Sequence, residues 1–383
     1  MDRRQFLTRS ALVAAAPALP ILTTHKAFAA SSAESRSGDL VAPSDQLPAR
    51  NELVAVARQV ADHWISTHSD SGDNGWARAT LFSGLMALYR LTREPRYLNY
   101  TRSWAEKHAY GIRGGVTTRH ADNHNAIQAY LDLYEIEPSA NKLTAATDTL
   151  RRMITNQPNK NDDWWWDDAL HMALPAFARI GRIRNDPAFW DKGYQLYNHT
   201  KRVHALYASD LGLWYRDGRF IPGGIVSPNG KPVLWSRGNG WVAGAHVKTL
   251  KALPSTARNV PEYRETLVRL ITALHPIQRG DGFWNVNLGD PQHLPGPETS
   301  GTSFFTYGTA SAVATRLLPS ATYLPMAARA WNGMVATAVH SNGFLGYIQG
   351  VGDRPESSQP INVNTTADFG VGAFLLAASE LVS

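Results

Sequence analysis

The chain of 383 residues has no cysteine, which removes disulfides, thiolate metal sites and cysteine nucleophiles together. It also has no run of lysine and arginine of the kind that tracks a phosphate backbone, so no nucleic-acid partner is expected. Its N-terminal apolar stretch, Ala11 to Leu22, is too short to span a bilayer and is interrupted by Pro17 and Pro20. Net charge is small. Residues 1–29 supply half of the formal +6, through Arg3, Arg4, Arg9 and Lys26 against Asp2. The mildly basic remainder suits an anionic small substrate, though only weakly.

What is present is apolar and aromatic. A hydrophobic content of 43%, with 12 Trp and 14 Tyr, is ample for a packed core and excludes a disordered chain. The first residues read as an address. Arg3-Arg4-Gln5-Phe6-Leu7 is a twin-arginine start, the apolar stretch follows, and Ala27-Phe28-Ala29 is a small-residue cleavage site. We expect residues 1–29 to be an export signal for the twin-arginine route, leading to a bacterial periplasm or exterior. No cysteine follows the cleavage site, which argues against a lipid anchor, and no stable membrane anchor is expected. Residues 30–48, rich in Ser, Gly, Pro and charge, read as a linker, and 49–383 as a single catalytic domain.

Within that domain one theme recurs. Gly84–Thr92 is an apolar helix of period near 3.6, followed by Pro95 and then Tyr97, Leu98 and Trp104. Ala129–Ile136 is followed in the same way by Pro138, Leu143 and Leu150, and Pro175–Gly181 by Pro187, Phe189 and Tyr194. Further pairs are expected at 238–253 with 261–277 and at 303–317 with 324–339, while 51–67 and 370–381 pair by closing a ring. About twelve helices at such spacing are the signature of a repeat architecture. An open solenoid fits the same pairs, but the helices near 84–91, 169–180 and 371–379 are apolar nearly all round, as the inner wall of a closed toroid requires. The expected fold is therefore all-α, an (α/α) barrel of six hairpins. Its function is expected in the long loops 111–121, 157–166, 207–236, 279–302 and 342–369.

Three junctions between loop and helix carry candidate chemistry. In Arg119-His120-Ala121-Asp122-Asn123-His124-Asn125, Asp122 is either an N-cap or a site acid. His120 and His124 would share a helix face, but no third ligand and no Glu base accompany them, and no metal is expected. In Asp162-Asp163-Trp164-Trp165-Trp166-Asp167-Asp168, three consecutive indoles at a helix start suggest a wall for sugar rings. A carboxyl walled by indoles has its acid form favoured by desolvation, as a general acid needs. The bland alternative, that Asp167 caps the helix and Asp168 complements its dipole, stays open. In Trp235-Ser236-Arg237-Gly238-Asn239-Gly240-Trp241, glycines around a loop arginine allow close backbone approach to a ligand, and the guanidinium can grip a carboxylate. Arg237 equally suits a pairing with a structural acid. Asp122 and Asp168 start successive inner helices, and paired carboxyls facing a cavity are standard equipment for cleaving glycosidic links.

These strings, together with Glu298-Thr299-Ser300-Gly301-Thr302-Ser303-Phe304-Phe305, Tyr347-Ile348-Gln349 and Gly370-Val371-Gly372-Ala373-Phe374-Leu375, resemble glycoside hydrolase families 88 and 105. These are the unsaturated glucuronyl and unsaturated rhamnogalacturonyl hydrolases. The resemblance runs in order over roughly residues 50–383. It implies a six-hairpin (α/α) barrel acting on acidic oligosaccharides left by polysaccharide lyases, with fragments of rhamnogalacturonan, a pectic polymer, as the first expectation. By position it makes Asp168 the general acid/base and Asp122 the second acid. Arg237, Trp241 and Trp166 bind at the unsaturated ring, with Trp165, Met172 and Arg216 on the substrate side. Water is added across the ring's vinyl ether, and no metal or organic cofactor is implied. Two positions depart from the pattern: Arg216 stands where a His is frequent, and Asp167 has no family role, so a cap is its default. A polysaccharide lyase on a similar toroid would want a Tyr or His base aligned with Arg. A non-catalytic sugar-binding protein would keep the aromatic wall without needing both acids.

Overall fold

The computed structural model describes residues 42–383, so the expected export signal and the first part of the linker lie outside the described residues. Twelve α-helices are present among them: α1 (Arg50–Thr67), α2 (Trp76–Thr92), α3 (Pro95–Lys107), α4 (Ala126–Ile136), α5 (Thr144–Thr155) and α6 (Asp168–Arg184), then α7 (Pro187–Asn198), α8 (Ser236–Ala252), α9 (Val260–Leu274), α10 (Thr299–Ala314), α11 (Ser320–Thr337) and α12 (Asp368–Leu381). The proline turns act as the sequence suggested. α2 ends on Arg93 in the left-handed region (φ 61°) and α6 on Asn185 (φ 49°), after which Pro95 and Pro187 open the next helices. Asp186 also caps α7, accepting from the Ala188 N–H at 3.0 Å.

The even-numbered helices form an inner ring in which α12 packs against both α10 and α2, so the toroid closes and the open solenoid is excluded. Glycine makes the closing seam. A Cβ on Gly84 of α2 would lie 2.4 Å from the Gly372 carbonyl oxygen of α12, so the two backbones meet only because neither side chain exists. α8 and α10 are buried along most of their length, whereas the outer helices bury one stripe each, as Tyr97, Leu98, Thr101 and Trp104 do on α3. α1 covers α12 from outside with Leu53, Val54, Ala57, Val60, Ala61 and Trp64. The end of the linker lies against α11, where the Asn332 amide donates to the carbonyls of Ser44 and Gln46.

Direction follows from connection length. Links from an inner to an outer helix are short (two residues after α2 and after α6), so each hairpin is antiparallel and the inner helices all point the same way. The long links return to the inner N-termini, and this gathers them at one end of the barrel. One contains a small hairpin of β1 (Tyr207–Ala208) and β2 (Leu213–Trp214). Among the described residues no helix is long and apolar enough to cross a membrane.

Candidate active site

The six inner N-termini bring the candidate residues to one rim. Asp168 is the first residue of α6, Asp122 sits in a short 3₁₀ turn (Ala121–His124) that leads into α4, and Arg237 is in the first turn of α8. Asn125 anchors the 3₁₀ turn, donating to the Trp76 carbonyl (2.8 Å) and to Thr80 Oγ1 (2.9 Å) of α2. The Trp-Trp-Trp-Asp-Asp segment is pinned across from it. Asp167 N–H donates to the Arg216 carbonyl at 2.8 Å, and Trp166 bridges to Asp217. That register delivers Arg216 to the acids, with its Nε 3.4 Å from Asp168 Oδ2 and its Nη1 2.7 Å from Asp217 Oδ2.

Asp122 and Asp167 lie close enough to Asp168 to feel its charge. Burial, and then the charge of Asp168, push the Asp122 carboxyl up to about 7, against the opposing pull of Arg216 and Arg113. Asp167 is raised well above the ordinary carboxylate range, by burial first and Asp168 second. Among the described residues, neither Asp167 oxygen nor Asp168 Oδ1 has a hydrogen-bond partner. The capping role expected for Asp167 is therefore wrong: it stands at the N-cap position but makes no capping bond. Its carboxyl is pressed against α8, where a Cβ on Gly238 would lie 2.5 Å from Oδ2.

Other expectations change with burial. The three indoles are not one wall. Trp164 is in the core against Phe177, Trp166 is buried between His120 and Trp165, and Trp165 alone is exposed, at 48%. Arg216 lies over the Trp165 ring, 5.6 Å from its centroid. Trp241 and Met172 are buried below the rim, Trp241 packing on Trp76, His171 and Phe304. Arg237 lies in the first turn of α8 and not on a loop, and it pairs with no carboxylate among the described residues. It is 2% exposed, donates to the carbonyls of Gly350 (2.6 Å) and Gly352 (3.0 Å), and packs on Trp235. Burial lowers it to about 10, with Asp168 the largest opposing charge. Gly238 and Gly240 serve packing, against Asp167 and against Gly301 and Phe304 of α10. The face that His120 and His124 would have shared is not formed, because the segment is a 3₁₀ turn. His124 is buried with Nε2 3.1 Å from the Thr118 carbonyl.

Supporting residues emerge that composition did not single out. Glu298 caps α10 by accepting from the N–H groups of Ser300 and Gly301 (2.6 and 2.7 Å) and also accepts from Ser236. Gln349 accepts from Trp235 Nε1, and Arg219 joins Asp217 to Asp353, each contact at 2.8 Å. Glu298 and Gln349 lie in the quoted strings, so the resemblance marked their positions without their work. Arg113 and Arg219 carried no sequence signal.

Comparison with known proteins agrees with this arrangement. The chain is 29% identical over 346 residues to an unsaturated 3S-rhamnoglycuronyl hydrolase of Alteromonas sp. strain LOR, spanning 84% of this chain and 81% of that protein. A glycosyl hydrolase family 88 structure from Bacteroides vulgatus superposes with a TM-score of 0.82 at 32% identity, covering 88% of this chain and 99% of the other. A structure named as a polysaccharide lyase superposes with a TM-score of 0.81 at 34% identity, covering 87% and 97%. The model of Glycosyl Hydrolase Family 88 matches residues 52–383, and the chain is a member of that family.

Proposed function

We propose that this glycoside hydrolase removes a 4,5-unsaturated uronic acid from the non-reducing end of oligosaccharides produced by polysaccharide lyases. The observation that carries the reading is the carboxyl pair. Asp122 and Asp168 share one rim, Arg216 stands beside Asp168, and Asp122 is raised to about 7 by burial and by its partner. Such a pair keeps a proton near neutral pH, where a lone carboxylate would have lost it. An enol ether needs a proton delivered to carbon, followed by water. Asp168 is the group that exchanges protons with the substrate: it passes the proton held by the pair to C4, and water adds at C5 and returns its own proton to the pair. The hemiketal so formed opens and releases the next sugar. Asp122 holds the neighbouring proton, and Arg216 and the inner-helix N-termini favour the uronate carboxylate. Arg237 contributes by tying the 350–352 segment to α8.

The Alteromonas relative's name supports a rhamnose beside the unsaturated ring, and the pectic polymer first expected from the sequence is one candidate source of it. The export signal expected at 1–29 would place the enzyme in the periplasm or outside the cell. The test uses the purified protein and a panel of lyase-generated disaccharides, following the ultraviolet absorbance of the conjugated ring. Hydration destroys that absorbance and releases the neighbouring sugar. A second reading, elimination by a lyase, is favoured by the name of one structural neighbour and makes absorbance grow on intact polysaccharide. Against it stands the bias of Asp122 and Asp167 toward their protonated forms, which suits donors better than bases.

A further inference from the structure

A cavity of about 530 Å³ opens at the other end of the barrel, among the C-termini of the inner helices. Arg50, Arg90, Arg179, Arg182, Lys248 and Lys251 line it against three acids, Asp132, Glu135 and Glu380. The acids are fully engaged. Asp132 pairs with Arg90 (2.9 Å) and Arg179 (2.8 Å), Glu135 with Arg179 (3.0 Å) and Arg182 (2.6 Å), and Glu380 with Lys251. Cations in a last helical turn are what the macrodipole favours, and this accounts for Arg90, Arg182 and Lys251.

Lys248 is different. It lies one turn inside the end of α8, and among the described residues it makes no salt bridge. Its Nζ donates to a neutral group, Gln128 Oε1, at 2.9 Å. Ser83 Oγ, buried on the same wall, has no hydrogen-bond partner among the described residues. The cavity volume falls within the roughly 300–1,000 Å³ of small-molecule sites, and Tyr307, Pro175 and Leu376 give it an apolar side.

We propose that this cavity is a second, non-catalytic binding site for a small oxyanion, either sulfate or the carboxylate of a sugar acid, with Lys248 as its main contact. Six cations face three acids; among the described residues Lys248 and the exposed Arg50 form no ion pair, and Lys248 is the one held inside the wall, beside Gln128. Burial pushes Lys248 down to about 7; Asp132 of α4 opposes this, while Arg179 of α6, Arg90 of α2 and Lys251 add to it. Tyr307 of α10 and Glu380 of α12 line the same cavity, and His171 of α6 is held neutral by burial. An arriving anion favours the ammonium form. Binding therefore takes up a proton above pH 7, and affinity falls as pH rises through that value.

Calorimetry with sodium sulfate and with sodium glucuronate tests this on the wild-type protein, on Asp168→Asn and on Lys248→Met. Expected is saturable binding that persists in Asp168→Asn, takes up protons at pH 8, and weakens roughly tenfold or more in Lys248→Met. Ala87→Phe, which fills part of the cavity and alters no charge, should weaken binding similarly and guards against a folding defect in the first variant. Binding of both anions defines a site for oxyanions in general, and binding of glucuronate alone one for sugar acids. No saturable binding of either anion, or equal affinity in Lys248→Met, overturns the proposal. Because the deciding readout is loss of binding in Lys248→Met, at the end of the barrel away from Asp168, it is independent of the reaction proposed above.

Discussion

The two ends of the barrel use acids in opposite ways, and the contrast shows which force decides. At the N-terminal rim, Asp122 and Asp167 are raised although helix N-termini favour anions. At the C-terminal end, Asp132 is buried, yet Arg90 and Arg179 more than offset the burial and its pKa is lowered, although helix C-termini disfavour anions. The dipole loses at both ends. It is worth about 0.3–1 kcal/mol near a helix terminus. Moving a carboxyl from 3.8 to about 7, as at Asp122, corresponds to something on the order of 4 kcal/mol. Burial and specific partners therefore set the ionisation, and the raised carboxyls gather at the end proposed for the chemistry.

The largest effect should separate the ends outright. Asp168→Asn is expected to lower kcat roughly a thousandfold with substrate binding retained, read by the absorbance assay and by calorimetry on the disaccharide. Unchanged turnover would remove Asp168 as the acid. Asp132→Asn should do the reverse. It removes one of the two carboxylates that Arg90 and Arg179 share, leaving them Glu135 alone, so urea unfolding should show a loss of about 3 kcal/mol with kcat unchanged. A stable but inactive Asp132→Asn would break the comparison.

Asp122 sharpens it through pH. Its pKa is raised in the folded state, so the native protein holds this proton between 3.8 and about 7 while the unfolded chain has lost it. The stability it contributes is full below 3.8 and is lost as pH rises through about 7, and turnover that needs the proton falls over the same upper limb. Asp122→Asn should flatten the decline in stability between those values, displace the alkaline limb of the kcat profile and lower kcat. An alkaline limb that stays put assigns the limb to another group.

The fold was more legible than the site, for a physical reason. Helix period and proline turns are local, so 51–67 and 370–381 fall within two residues of α1 and α12 and 129–136 lies inside α4, and glycines such as Gly84 and Gly372 are consistent with close inner packing. The closed ring is read from helices apolar nearly all round, and the common direction of the inner helices follows from the connection lengths in the structure. The site depends on where side chains point, and here sequence spacing misled. Arg237 follows a long loop yet turns into the protein, because the carbonyls of Gly350 and Gly352, more than a hundred residues away, receive its donors. Asp167 looked like a cap because it precedes a helix, but its oxygens reach toward Gly238 of α8. Arg216, marked as a departure, proved to be the cation nearest the acid.

The smallest expected effect concerns the indoles, where sequence gave three equal candidates and burial ranks them. Trp165 is exposed and holds the Arg216 guanidinium over its ring, while Trp164 and Trp166 are packed on protein. Trp165→Ala should therefore cost about 1 kcal/mol of substrate contact, raising KM by roughly fivefold with little change in kcat and in melting temperature. Trp164→Ala should leave KM alone and destabilise the core by about 3–5 kcal/mol. If Trp165→Ala instead lowers kcat, the ring acts by orienting Arg216 toward Asp168, and the exposed indole belongs to the catalytic apparatus more than to the sugar surface.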